Sequence, residues 1–154
     1  MTLFLVGEVE RDGRQVADTG GSWPPLTFRG ARQALQLIEG LRQEEVGRIV
    51  SGPGVRCLQT VAPLARARGL RVDVDPVLGQ IASVQRALGA IAQMQQGPPT
   101  VVCMPTSLLF AVVDLLKLLE VRVDLLGDLL WVRKIAGELA TDPPGESEAT
   151  GSGE

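Results

Sequence analysis

The sequence predicts a three-layer α/β/α domain built on a mainly parallel sheet. Three observations carry that expectation. Short continuous apolar runs at Thr2–Val6, Gly47–Ser51 and Thr100–Cys103 read as strands buried on both faces. Segments with apolar residues at helical spacing stand between them. The two kinds alternate as β-α-β-α-β-α-β-α, and that order calls for parallel strands covered on both sides.

Taken in order, Thr2–Val6 is the first strand, and residues 7–25, rich in Gly, Pro, Asp and Arg, read as a loop. A helix follows from near Arg29, with Ala34, Leu37, Ile38 and Leu41 on one face. The strand Gly47–Ser51 is broken by Gly52, Pro53 and Gly54. Val55–Ala67 is helical, with Leu58, Val61, Ala62 and Ala65 on one side and Pro63 expected to weaken one turn. Residues 70–75 alternate apolar and charged, which marks a strand with one wet face near a sheet edge. Val84, Ala87, Leu88 and Ile91 form a third helical face, ended by Gly97-Pro98-Pro99. After Thr100–Cys103 comes a Leu-rich helix from about Ser107. Leu129–Ile135, Ala136-Gly137 and Glu138–Thr141 suggest a terminal hairpin, with a helix as the competing reading.

Residues 1–141 thus form one domain, and residues 142–154, made of Pro, Gly, Ser, Thr and acids, are expected to be a disordered acidic tail. The tail holds Asp142, Glu146, Glu148 and Glu154; outside it 14 acids face 15 bases. A near-neutral body gives no field for nucleic acid. No run reaches the ~18 apolar residues of a membrane helix, and the N-terminus lacks a signal-peptide pattern. A cytoplasmic location is expected by default. Thirteen Arg against two Lys suggest a GC-rich genome. There is no histidine, so the commonest acid/base side chain and metal ligand is missing.

In a parallel sheet, ligands bind beyond the carboxyl ends of the strands. Three such ends are legible: Gly7-Glu8, the segment SGPGVRC ending in Arg56-Cys57, and Met104-Pro105-Thr106. The second is the best anion seat, because Arg56 joins free helix N-terminal amides. The segments WPPLTFRGARQA (23–34), IVSGPGVRCLQTVAPLA (49–65) and DPVLGQ (75–80) resemble the histidine phosphatase superfamily, with its phosphoglycerate-mutase-like fold. The family pattern runs LVRHG, LTxxGxxQA, SSPxxRxxQTA and a strand ending in SHG. The short length resembles the compact bacterial phosphohistidine phosphatases. PTVVCMPT and GDLLWVRKIAGELA resemble phosphatase-like domains fused behind Nudix hydrolases in actinobacteria.

The resemblance implies the following roles. Leu5-Val6-Gly7-Glu8-Val9 matches LVRHG, so Gly7 stands where the phosphate-binding Arg belongs and Glu8 where the nucleophilic His belongs. Arg56 matches the second Arg and is retained. The proton-donor Glu falls near Gln80, and the second catalytic His falls on Pro105. Four of those roles are replaced. Gly7 removes a bidentate clamp, Pro105 offers neither proton nor donor, and Glu8 puts negative charge where a phosphoryl group would sit. Glu8 is expected to face Arg56 as an internal ion pair.

The residues favour no particular replacement for the lost chemistry. The position six beyond Cys103 is Leu109 and that beyond Cys57 is Pro63, so a cysteine-phosphatase loop is absent, and both cysteines read as packing residues. An acyl-phosphate on Glu8 lacks a supporting acid or second Arg. Glu8, Glu10 and Asp12 read as solvated charges rather than a metal site. Only Asp114 and Lys117 interrupt the apolar run 108–119, which reads either as a helix buried between the sheet and its neighbours or as one with part of its surface turned toward a second subunit. The expected function is that of a pseudophosphatase without catalytic residues, metal or cofactor, working through an unknown protein partner or as a homodimer. The alternatives are a small anion- or nucleotide-binding module using Arg56 and the adjacent helix N-terminus, and an enzyme with rerouted chemistry.

Overall fold

A computed structural model describes residues 2–8, 28–79, 83–136 and 139. The elements are β1 (Leu3–Gly7), α1 (Phe28–Gly40), β2 (Arg48–Ser51), α2 (Val55–Arg68), β3 (Val72–Val74), α3 (Val84–Met94), β4 (Thr100–Met104), α4 (Thr106–Leu118), β5 (Asp124–Leu126) and β6 (Leu129–Ile135). A 3-10 turn, Pro76–Gly79, lies between β3 and α3. The sheet order is β3-β2-β4-β1-β6-β5. The pairs β1–β4, β2–β4 and β2–β3 are parallel, and β1–β6 and β5–β6 antiparallel. The expected mainly parallel α/β sheet is present, with β3 at one edge as its alternating pattern implied.

The apolar runs of β1 and β4 are buried throughout because both faces of the sheet are covered. Side chains still alternate between the faces. Leu3 and Leu5 of β1, with Val102 and Met104 of β4, meet α3 and α4 through Ala87, Ile91, Leu108, Leu109, Val112 and Leu116. Phe4 and Val6, with Val101 and Cys103, meet α1 and α2 through Leu37, Leu41, Cys57, Val61 and Leu64. This parity decides where the next two residues of β1 point. Gly7 continues the series of Leu3 and Leu5 toward α4, and Glu8 that of Phe4 and Val6 toward α2.

α2 runs through Pro63, and its C-terminus closes at Gly69, whose φ of 67° suits only a residue without Cβ strain. The terminal hairpin departs from expectation. Leu129–Ile135 is a strand, but its partner is Asp124–Leu126, joined through Gly127-Asp128. Gly127, at φ 56°, supplies the left-handed residue a two-residue turn requires. A Gly-Asp pair between apolar runs is itself a hairpin signal; the Ala-Gly pair nine residues later is a weaker one. Leu139 is buried against the α3–α4 layer, where its N–H donates to Gln95 Oε1 at 2.7 Å. The tail 142–154 and Trp23 lie outside the described residues, while Trp131 packs against the α1–α2 layer. Among the described residues no helix is long and apolar enough to cross a membrane.

Candidate functional site

The carboxyl ends of β1, β2 and β4 meet at one place. The Glu8 N–H donates to the Met104 carbonyl at 3.0 Å, extending the β1–β4 ladder past Gly7. The Gly52 N–H donates to the Cys103 carbonyl at 2.9 Å, doing the same between β2 and β4. Two helices then begin around this point, α2 after Gly54 and α4 after Pro105. Neither N-cap residue has a side-chain cap bond.

Glu8 is the centre of the cluster. Its carboxylate Oε2 lies 2.8 Å from Arg56 Nη2, with side-chain exposures of 12% for Glu8 and 22% for Arg56. The ion pair expected from the sequence is therefore present, and it is mostly shielded from water. Glu8 Oε1 accepts a long contact of 3.6 Å from the Cys57 thiol. The Glu8 carbonyl accepts from Thr106 Oγ1 at 3.3 Å. Thr60 Oγ1 donates to the Arg56 carbonyl at 2.7 Å, holding the first turn of α2.

Below the pair, Cys57 and Cys103 are both buried free thiols. Burial pushes the Cys103 thiol well above its usual range; the neighbouring Cys57 thiol and the Glu8 charge push the same way, and a hydrogen bond involving Thr60 opposes them weakly. A thiol held protonated is a poor nucleophile. The packing role read for the cysteines fits this environment, although their closeness to Glu8 was not foreseen. Cys57 beside Arg56 in a helix's first turn was the available signal.

Gly7 touches the other helix. A Cβ there would meet Thr106 Oγ1 at 3.1 Å and Leu109 Cδ2 at 3.2 Å, so any side chain would have to push α4 residues aside by a few tenths of an ångström. Pro105 is the N-cap of α4, and its carbonyl accepts from the Leu109 N–H at 2.9 Å. Gly7, Glu8, Arg56 and Pro105 thus converge, as the strand ends required. Gln80, Glu10 and Asp12 lie outside the described residues.

The comparisons with known proteins agree on the framework. Among curated protein sequences, none matches this chain. Among solved structures, YhfR of Bacillus stearothermophilus superposes with a TM-score of 0.65 at 15% identity, covering 91% of this chain and 98% of that one. The α-ribazole phosphatase of Shigella flexneri gives 0.61 at 18% identity, covering 80% and 86%. The protein histidine phosphatase SixA complexed with tungstate gives 0.57 at 20% identity, covering 74% and 75%. At such identities these likenesses speak for the fold alone. The sequence match is what settles kinship: the model of the histidine phosphatase superfamily (branch 1) matches residues 7–96, more than half of the chain, and the chain belongs to that superfamily.

Proposed function

We propose that this protein is a pseudophosphatase, a superfamily member that does not turn over phosphomonoesters and acts through contacts with another protein or a second copy of itself. The observation that carries this reading is the Glu8–Arg56 pair at 2.8 Å. Arg56 is the cation that the family motif would offer to a phosphoryl group, and here a side chain of the same protein holds it. An incoming phosphate near Glu8 meets repulsion on the order of 4 kcal/mol per unit charge at 4 Å in a partly buried setting. The hydrogen bonds Arg56 could offer in return contribute about 1.5–3 kcal/mol each. A phosphomonoester carrying two charges meets about 8 kcal/mol of repulsion, more than the roughly 3–6 kcal/mol of a bidentate pair of such bonds, so the carboxylate keeps the site.

The missing chemistry supports the same reading. A covalent route needs a nucleophile, a proton donor and charge stabilisation together. Gly7 and Pro105 supply none of these, and the Cys103 thiol is held protonated. The expected assay result is no turnover of p-nitrophenyl phosphate or of a phosphohistidine peptide at millimolar substrate. Turnover that Arg56→Ala abolishes would sink the proposal.

One observation favours a second reading, in which the site binds a small anion or nucleotide. α2 begins at Gly54 without a side-chain cap bond, and the first-turn amides of an uncapped helix are groups that suit an anion. Thermal shift against phosphate, nucleotides and sugar phosphates tests it, with a rise lost in Arg56→Ala as the supporting result.

A further inference from the structure

α4 buries one side only. Leu108, Leu109, Val112, Val113 and Leu116 face the sheet and α3. Ser107, Phe110, Asp114, Lys117 and Leu118 are exposed and fall on one stripe, spaced by three and four residues. Phe110 is 46% and Leu118 79% exposed, and Leu119 just beyond is 58% exposed. The stripe continues onto the sheet, where the Arg133 guanidinium lies 6.0 Å from the Phe110 ring centroid. Leu125, 51% exposed, is registered opposite Arg133 and so shares its face. Large apolar side chains gathered in this way mark a contact surface rather than scattered surface residues.

We propose that this surface pairs with a second copy of the chain, α4 against α4, about a two-fold axis passing between Asp114 and Lys117. The charges name the occupant. On the helix the stripe carries one acid and one base three residues apart, neither pairing with a described residue, and Arg133 beside Phe110 is balanced in sign by exposed Glu120 at the helix end. Such a stripe has no net charge to select an acidic or a basic partner. A two-fold contact places a patch against itself. In the antiparallel arrangement Asp114 faces Lys117 of the partner subunit, and Lys117 faces Asp114 of the partner subunit. With a rise of about 1.5 Å per residue, Phe110 then comes within about one turn of Leu118 and Leu119 of the partner subunit. Both reciprocal ion pairs are flanked by apolar contacts that shield them from water.

This surface gives the protein-contact reading above its partner and rests on that reading for its role. Its failure is separable, because association and turnover are measured independently. Sedimentation velocity on the full chain is expected to show twice the 16.4 kDa chain mass. Asp114→Lys places like charges opposite each other and is expected to raise the dissociation constant roughly 100-fold. Lys117→Asp does the same from the other side. The combined exchange, Asp114→Lys with Lys117→Asp, restores opposite charges and is expected to restore the dimer. Circular dichroism checks that each variant is folded. A monomer at all concentrations overturns the proposal, as does a dimer indifferent to both single changes, or a double exchange that stays dissociated while folded.

Discussion

Two strand-to-helix turns flank Glu8, and they treat it differently. The turn from β2 to α2 ends in side chains that meet the carboxylate, Arg56 at 2.8 Å and Cys57 at 3.6 Å. The turn from β4 to α4 brings Pro105, which has no donor, and Thr106, whose hydroxyl goes to the Glu8 carbonyl. Both turns follow buried strands and both open a helix, but β2 reaches α2 through three residues, Gly52–Gly54, and β4 reaches α4 through Pro105 alone. The residues at the first helical turn differ as well. The comparison teaches that the site is one-sided: α2 supplies its electrostatics, and α4 supplies its walls.

The most severe way to break the α2 side is Arg56→Ala. It leaves a carboxylate that is only 12% exposed without its cation, and is expected to cost about 2–3 kcal/mol in urea unfolding. An unchanged midpoint would mean that the pair is worth no more than a surface contact. The thiols beneath it offer a pH test. The Cys103 thiol is raised in the folded state, so it keeps its proton where the unfolded chain has lost it. Stability is therefore full below pH ~8.5, the unfolded thiol value, and falls above it by up to about 1.4 kcal/mol per pH unit. Cys103→Ala is expected to flatten that slope, as read from unfolding curves between pH 7 and 10.

Glu8→Gln sharpens the comparison from the ligand's side. Removing the negative charge while keeping the shape should free Arg56, with a gain in inorganic phosphate affinity of roughly 10-fold, about 1.4 kcal/mol, by calorimetry. No gain would show that charge at Glu8 is not what closes the site. The smallest effect belongs to the α4 wall. Gly7→Ala is expected to cost about 1 kcal/mol, because Thr106 and Leu109 must give way. A stabilised variant would show that the wall has slack.

Much of this was legible in the sequence, for reasons that differ from residue to residue. The buried strands were plain because continuous apolar runs bounded by Gly and Pro have few other uses. The Glu8–Arg56 pair was legible through the family resemblance, which puts both residues at one phosphate site, and the sheet order sets the ends of β1 and β2 on either side of β4. The split between Gly7 and Glu8 was also available, since alternation sends successive residues to opposite faces. The terminal hairpin was misplaced because the weight fell on Ala136-Gly137 rather than Gly127-Asp128, and short turns are decided by a single residue's φ. The Cys57–Glu8 contact and the crowding at Gly7 were not legible, because each depends on how closely a helix approaches the sheet.

That approach has a consequence for how this chain can change. Thr106 touches the space a Cβ would take at Gly7 and also holds the Glu8 carbonyl. Positions 7, 8, 106 and 109 are therefore not free to vary one at a time. An arginine introduced at position 7 disturbs Thr106 before it meets any phosphate, and a histidine introduced at position 8 deprives Arg56 of its carboxylate. Each single step passes through a less stable protein, and only the combination has a prospect of being neutral. The packing of one glycine makes the path between this sequence and the family motif an uneven one.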